Sequence, residues 1–319
     1  MSDLTVLVLS ESGNYLKLLD ELAPIAHVVI GTEAEAFDSS VENADVIVVG
    51  MGGARAFPAV LEKAKKARWV HSLAAGVEGI LFPEFIASPL PLTNARGVFA
   101  RSLGEFALAG MLWFAKDLNR MRANQKAHRW EQFDVQELYG QTLGIVGYGE
   151  IGRAAARLAR PFGMKILALK RRPELIQDEV DAVYTPDRLN EMAAASDYLL
   201  AAAALTPETR GMVGEAAFRS MKKSAIIMNL GRGPVIVEET MIRALREGWI
   251  RGAVLDVFET EPLPEGHAFY DLDNVLLSPH CADHTDDWLD LTMRFFVENF
   301  QRFAAGLPLE NVVDKAKGY

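Results

Sequence analysis

Short apolar runs of strand length alternate with stretches of helical spacing along almost the whole chain. Thr5–Leu9, His27–Ile30, Asp45–Gly50 and Trp69–Leu73 are β-branched or apolar runs that read as strands. Between them, Tyr15–Leu22 and Ala59–Ala67 place apolar residues at helical intervals. This alternation predicts a parallel sheet covered by helices. Pro83, Pro89 and Pro91 then mark a loop-rich passage. Ser102–Leu118 follows as a long apolar helix bridging two domains, with Ser102 and Glu105 at capping-box spacing. Arg120–Val135 is first basic, then aromatic, with weak periodicity, and is expected to form an excursion or arm.

The alternation resumes beyond it. Thr142–Val146, Lys165–Leu169, Tyr198–Ala204, Ala225–Leu230, Ala253–Phe258 and Val275–Ser278 read as strands. Arg153–Arg160, Arg188–Ala194, Gly214–Met221 and Val237–Gly248 read as helices. Ala201–Ala204 has poor strand propensity, and only its place in the alternation argues for a strand. Asp287–Ala305 is a last amphipathic helix, with Leu289, Leu291, Phe295, Phe296, Phe300 and Phe303 on its apolar face. It is the natural route back to the first domain. The fold class is therefore α/β.

One stretch carries a specific meaning. Gly147, Gly149 and Gly152 stand at G-x-G-x-x-G spacing between the strand Thr142–Val146 and a helix. The first glycine permits a tight turn and the second lets a pyrophosphate approach the backbone. The third lets the helix pack close to the strand, with its N-terminus facing the phosphates. Gly147, Tyr148, Gly149, Glu150, Ile151 and Gly152 are thus candidate dinucleotide-binding residues.

Length and charge narrow the partners. At 319 residues the chain suits two domains, and a formal net charge of −10 disfavours nucleic acid and anionic membranes as ligands. Cys281 is the single cysteine, so an intrachain disulfide is excluded and a reducing cytoplasm fits. No basic leader precedes Thr5–Leu9, and no apolar run approaches the roughly 20 residues of a membrane span. No metal site is expected.

Three polar residues follow strands in the second half, where ligands bind in open α/β sheets. Arg232 lies in Asn229-Leu230-Gly231-Arg232-Gly233, Glu261 in Asp256-Val257-Phe258-Glu259-Thr260-Glu261-Pro262, and His280 in Ser278-Pro279-His280-Cys281. Each alone has an ordinary explanation as a loop cation, a solvated acid or a strand-end histidine. Together, after a dinucleotide motif, they suit reduction of a 2-keto acid. Arginine grips a carboxylate bidentately. Histidine hands a proton to the carbonyl oxygen as hydride arrives, and a nearby carboxylate favours its protonated form.

These motifs resemble the D-isomer-specific 2-hydroxyacid dehydrogenases. The resemblance runs from about Trp69 to Ala305 and also includes Ala75-Gly76-Val77, Asn94, Gly104-Glu105 and Leu205-Thr206-Pro207-Glu208-Thr209. It implies two Rossmann-like domains with parallel sheets and an active-site cleft between them. Residues 1–98, completed by 287–319, would bind substrate, and residues 99–286 would bind the dinucleotide. Arg232, Glu261 and His280 match the family's catalytic residues. Ala75 and Gly76 match the loop whose amides hold the substrate carboxylate. Asp256 matches the aspartate that receives the nicotinamide carboxamide, and Thr206, Thr209, Leu230, Gly231 and Ala282 match other cofactor contacts. The family is usually dimeric, and the Arg120–Val135 arm would embrace the second subunit through the cofactor domains. Met51-Gly52-Gly53-Ala54 and Leu73-Ala74 either line the substrate's side-chain pocket or form a turn with no ligand contact.

Two departures matter. Ala202, Ala203 and Ala204 replace the His-x-Pro of many members, which leaves the adenine pocket open to question. Lys170 stands 18 residues beyond Gly152, where the family's NAD enzymes carry an acid, and Arg171 and Arg172 follow it. This cluster predicts NADP(H) as the preferred cofactor, with NAD possible. The expectation is a cytoplasmic reductase converting small 2-keto acids to D-2-hydroxy acids. The rival is a nucleotide-sensing binding protein of the C-terminal-binding-protein corepressor type, which shares the fold and triad but recruits peptides.

Overall fold

The computed structural model describes residues 4–176 and 178–319. The chain divides into two compact units, residues 1–99 with 285–319, and residues 100–284.

In the first unit, β1 (Leu4–Leu9), β2 (Ala26–Gly31), β3 (Val46–Val49), β4 (Trp69–Ser72) and β5 (Leu92–Asn94) form a parallel sheet in the order β2-β1-β3-β4-β5. Strand side chains alternate between faces, and here both faces are covered. Leu7, Leu9, Ile47 and Val49 join a core with Phe37, Phe57 and Phe85. Val6, Val8, Val46 and Val48 join another with Trp69, Met293, Phe296 and Phe300. The second core draws on α9 (Trp288–Ala304), whose buried Met293, Phe296, Val297 and Phe300 recur at helical spacing. The Tyr15–Leu22 stretch is helical but 3-10, over Asn14–Leu22. The helix expected at Ala59–Ala67 is α1 (Phe57–Lys63), begun by Pro58 in its first turn. The proline-rich passage holds α2 (Pro83–Ala87) and β5 itself.

His71 lies at the centre of this unit, fully buried. Its Nδ1 is 2.7 Å from Thr93 Oγ1, which also accepts a hydrogen bond from Trp69 Nε1 at 2.8 Å. Burial pushes its pKa down from the ordinary 6.5 to about 3. Between those values the unfolded chain binds a proton that the folded chain refuses. Stability is therefore full above pH 6.5 and falls as pH drops toward 3, by about 1.4 kcal/mol per pH unit for one group. His71→Phe should remove this slope. Urea unfolding of wild type and variant between pH 4 and 6.5 checks it, and parallel stability curves would refute it.

The second unit is a parallel sheet of β6 (Thr142–Val146), β7 (Lys165–Leu169), β8 (Ala182–Tyr184), β9 (Tyr198–Ala201), β10 (Ile226–Asn229), β11 (Gly252–Leu255) and β12 (Val275–Leu277). Its order is β12-β11-β10-β9-β6-β7-β8, so the strand sequence reverses between β6 and β9. That reversal opens the crevice in which doubly wound sheets bind dinucleotides. The helices are α3 (Ala100–Ala115), α4 (Leu118–Lys126), α5 (Glu150–Ala159), α6 (Leu189–Ala195), α7 (Glu215–Ser220) and α8 (Glu238–Arg246). Gly104 lets α3 lie close to α5: a Cβ there would come within 3.0 Å of Ala154.

Two expectations need correction here. The capping box does not form, because α3 already begins at Ala100. Ser102 Oγ instead donates to the Ala282 carbonyl at 2.7 Å, and Glu105 pairs with Arg101 at 3.1 Å. The helix also stops short of Leu118. Asp117 adopts φ 49°, and its carboxylate accepts the Arg120 amide at 3.4 Å, starting α4. The first part of the expected arm, through Lys126, is therefore a regular helix.

Candidate active site

The glycine turn sits at the crevice, between β6 and α5. Gly147 has φ 90°, and a Cβ on it would lie 2.6 Å from the Ala203 backbone. A Cβ on Gly152 would strike Ile145 at 2.8 Å, so this glycine lets α5 close onto β6. Around Gly149, by contrast, a Cβ would meet nothing within 4 Å. The turn is filled on the protein side and open at its middle glycine, as a cradle for a pyrophosphate requires. The first amides of α5, those of Glu150, Ile151 and Gly152, lack intrahelical acceptors by geometry and carry the positive end of the helix dipole. Tyr148 is buried beneath the turn, and burial pushes its hydroxyl pKa up.

The alanine run acquires a reason. Strand β9 ends at Ala201, and Ala202–Ala204 turn away beside two glycine loops. A Cβ on Gly231 would lie 2.7 Å from the Ala203 carbonyl, so the backbones meet here and leave room only for small side chains. The following turn closes on itself. Thr206 Oγ1 donates to Glu208 at 2.7 Å, and Thr209 Oγ1 donates to the Ala204 carbonyl at 2.7 Å.

Lys170 immediately follows β7, half-buried, and its amide donates to the Tyr184 carbonyl at 3.0 Å. Burial lowers its pKa, and the charge of Arg153 lowers it further. Arg171 and Arg172 are exposed beside it.

Arg232, Glu261 and His280 follow β10, β11 and β12, three adjacent strands of one sheet. Asn229 shapes the first loop, donating from Nδ2 to the Arg232 carbonyl at 3.1 Å and accepting the Gly231 amide at 3.3 Å. Leu230 continues the ladder, its amide donating to the Ala201 carbonyl at 3.0 Å. Arg232 is half-buried, and its Nη1 donates to the Gly231 carbonyl at 2.8 Å. Glu261 bridges two partners: Oε1 accepts the Phe258 amide at 2.9 Å, and Oε2 lies 2.6 Å from His280 Nδ1. An ionised carboxylate accepts only, so this contact puts a proton on Nδ1 and leaves Nε2 for proton exchange.

Asp256, buried at the end of β11, accepts at one oxygen from Ser278 Oγ and from the amides of Cys281 and Ala282. Sequence alone marked Asp256 for a cofactor role; the loop it grips carries no periodic signal. Close by, burial raises the Asp283 carboxyl pKa, with His284 opposing and Asp256 reinforcing the shift.

In the first unit, Asn94 Nδ2 donates to the Ala75 carbonyl at 2.5 Å, and the Ala95 amide donates to the Ala74 carbonyl at 3.2 Å. In a trans peptide the N–H points opposite the C=O. Anchoring these carbonyls therefore aims the Ala75 and Gly76 amides away from Asn94–Ala95. Met51 and Gly52 are exposed after β3, at the reversal between β1 and β3. Gly52 has φ 74°, and the Met51 carbonyl accepts the Glu11 amide at 2.8 Å.

A doubly wound sheet, an open glycine cradle at its reversal and a carboxylate–imidazole pair at neighbouring strand ends define a dinucleotide-dependent oxidoreductase. Known proteins narrow the class. The family described as D-isomer specific 2-hydroxyacid dehydrogenase, NAD binding domain, matches residues 108–282. A glyoxylate reductase from Korarchaeum cryptofilum is 35% identical over 263 residues, covering 80% of this chain and 79% of that protein. D-3-phosphoglycerate dehydrogenase from Methanocaldococcus jannaschii is 33% identical over 94% of this chain, which spans 57% of that relative's length. Among solved structures, an NADPH-dependent glyoxylate/hydroxypyruvate reductase from Sinorhizobium meliloti, in complex with NADP and sulfate, superposes with a TM-score of 0.86. It shares 27% identity, with 99% of this chain and all of that one covered. The chain belongs to the D-isomer-specific 2-hydroxyacid dehydrogenases, a family of NAD(P)-dependent oxidoreductases.

Proposed function

We propose that the protein is a cytoplasmic, NADPH-preferring reductase that converts small 2-keto acids to D-2-hydroxy acids. The observation that carries this reading is the Glu261–His280 hydrogen bond, at 2.6 Å, between residues that follow β11 and β12, with Arg232 following β10 next to β11. The glyoxylate reductases among its relatives, and the neighbour described with NADP, support the same reading. They disfavour the peptide-recruiting alternative.

A nicotinamide held at this site would supply hydride to the carbonyl carbon. In the second unit Arg232 holds the substrate carboxylate; in the first, the Ala75 and Gly76 amides are kept as substrate-binding candidates by the family resemblance. His280 Nε2 delivers a proton to the carbonyl oxygen, and in the reverse direction it removes one. Glu261 keeps the other nitrogen protonated and the ring oriented. The Gly147–Gly152 turn and the α5 amides take the pyrophosphate, while Leu230, Gly231, Thr206, Thr209 and Ala282 flank the dinucleotide. Asp256 would receive the nicotinamide carboxamide. Lys170, Arg171 and Arg172 favour a 2′-phosphate.

A homodimer is part of this proposal. Trp130 and Tyr139, 95% and 77% exposed, leave apolar surface on the segment after α4 that a second copy would cover. Sedimentation would show a dimer that Trp130→Glu weakens.

Glyoxylate, hydroxypyruvate and pyruvate, each offered with NADPH and with NADH and followed by absorbance, test the central claim. Failure to oxidise either cofactor with every keto acid would sink it. Arg232→Lys keeps the charge but loses the planar fork. It is expected to lower kcat/KM for the best keto acid about 10²-fold with little change in cofactor affinity. A wild-type rate would remove Arg232 as the carboxylate clamp.

A further inference from the structure

His280 is held in an unusual backbone conformation. Its φ is 51°, in the left-handed region that side-chain-bearing residues rarely adopt. Such a conformation persists only where the surroundings over-determine it. Prominent among those surroundings is one carboxylate. Asp256 is 1% exposed, and its Oδ1 accepts Ser278 Oγ at 2.6 Å, the Cys281 amide at 3.0 Å and the Ala282 amide at 3.1 Å. The Cys281 amide belongs to the peptide that leaves His280, so that bond fixes the direction in which the chain departs from the histidine. Ser278 enters the loop from β12, its own amide bonded to the Leu255 carbonyl at 2.8 Å. The far side is fastened by Ser102 Oγ on the Ala282 carbonyl.

The three donors are not equivalent. The two amides lie within the left-handed turn and hold Asp256 only while that turn persists. The Ser278 hydroxyl is attached before the turn, next to the strand, and makes the shortest of the three bonds. It holds the carboxylate facing the loop whether or not the turn is formed. Without it, a buried carboxylate is left to seek another donor or water, because an unsatisfied charge is costly to bury. Rotation of the carboxylate would release both amides together, and with them the angle at which the imidazole meets Glu261.

We infer that Ser278 is a positioning residue for His280, acting through Asp256 to lock the left-handed turn that presents the imidazole to Glu261. This rests on the assignment of His280 as the proton donor. It predicts a loss in the chemical step that exceeds any loss in cofactor binding. Ser278→Ala should lower kcat for the best keto acid about tenfold or more. KM for NADPH, and its Kd by fluorescence titration, should change by less than kcat does, the residual change coming through the carboxamide contact of Asp256. Ser278→Thr, which keeps the hydroxyl, should restore kcat to within about twofold of wild type. A merely structural role would lower Tm without this split between kcat and cofactor KM. Wild-type kcat in the alanine variant, or a threonine variant as impaired as alanine, would overturn the inference.

A second measurement separates it from the functional reading. Imidazole ¹⁵N–¹H spectra of the protein without substrate, with His280 assigned by loss of its signals in His280→Gln, report the Nδ1–H bond to Glu261 directly. Ser278→Ala should shift those signals and Ser278→Thr should leave them in place. If the wild type reduces no keto acid, the functional reading fails and the spectra alone decide. Unchanged His280 signals in Ser278→Ala would then refute the clamp.

Discussion

Replacing His280 with alanine is expected to lower kcat for 2-keto acid reduction by about 10²–10⁴-fold, the usual contribution of a positioned general acid. NADPH affinity should change little, because the imidazole is placed to serve the carbonyl oxygen and not the dinucleotide. The argument rests on directionality. Glu261 reaches His280 Nδ1 at 2.6 Å while its other oxygen is occupied by the Phe258 amide. The carboxylate therefore cannot swing away without leaving a backbone donor unpaired, and the imidazole is held with Nε2 outward. Glu261→Gln keeps an acceptor for Nδ1–H but loses the negative charge, so its loss should be smaller than that of His280→Ala. Pre-steady-state measurement of NADPH oxidation distinguishes chemistry from product release. A burst at the wild-type rate in His280→Ala would remove the histidine from the proton transfer.

Much of this architecture was readable in the sequence because strand burial leaves a strong imprint. In Val6–Leu9 and Val46–Val49 every residue is apolar, since both faces of the first unit's sheet are covered and adjacent side chains enter different cores. The glycine turn was readable because backbone geometry, not side-chain chemistry, demands those residues. Two of the three-residue strands left little trace. β5 lies just beyond prolines, and β8 pairs only at the sheet edge with β7, so neither needs a long apolar run. The break at Asp117 depends on one residue adopting a left-handed conformation, which no periodicity announces.

The site divides in the same way. Arg232, Glu261 and His280 stand in recognisable strand-end motifs, so their positions could be named in advance. The hydrogen bonds that aim the surrounding loops could not. Ser278 and Asp256 are separated by 22 residues, and Asn94 and Ala75 by 19. A hydroxyl or amide that aims a neighbouring loop has no spacing rule, and only the folded chain shows which carbonyl or carboxylate it reaches. The alanines at 202–204 illustrate the converse. They read as a weak strand, yet Ala202 and Ala203 lie where the backbones of Gly147 and Gly231 approach closely.

Arg171→Ala combined with Arg172→Ala should abolish most of the preference for NADPH over NADH while leaving the NADH rate nearly unchanged. The selecting position in this fold is the end of the second strand of the dinucleotide unit, where an acid binds the ribose 2′-hydroxyl and repels a 2′-phosphate. That strand is β7, and the residue after it is Lys170. Its ammonium has a lowered pKa, first from burial and then from the charge of Arg153, with Arg172 acting in the same direction. Glu150 and Asp178 temper it, but both are engaged by Arg153, at 3.2 Å and 2.9 Å. Two exposed arginines add planar forks suited to a phosphate. Solvent screening reduces each contribution at an exposed rim, so the preference should be about 10²-fold in kcat/KM, expressed mainly through KM. The double alanine variant should bring it below about tenfold, with Lys170 retaining part of the attraction. Because the interaction is charge on charge, the NADPH KM of the wild type should also rise with salt more steeply than its NADH KM. Equal kcat/KM for the two cofactors in the wild type, or an unchanged preference in the double variant, would reduce the cluster to surface charge.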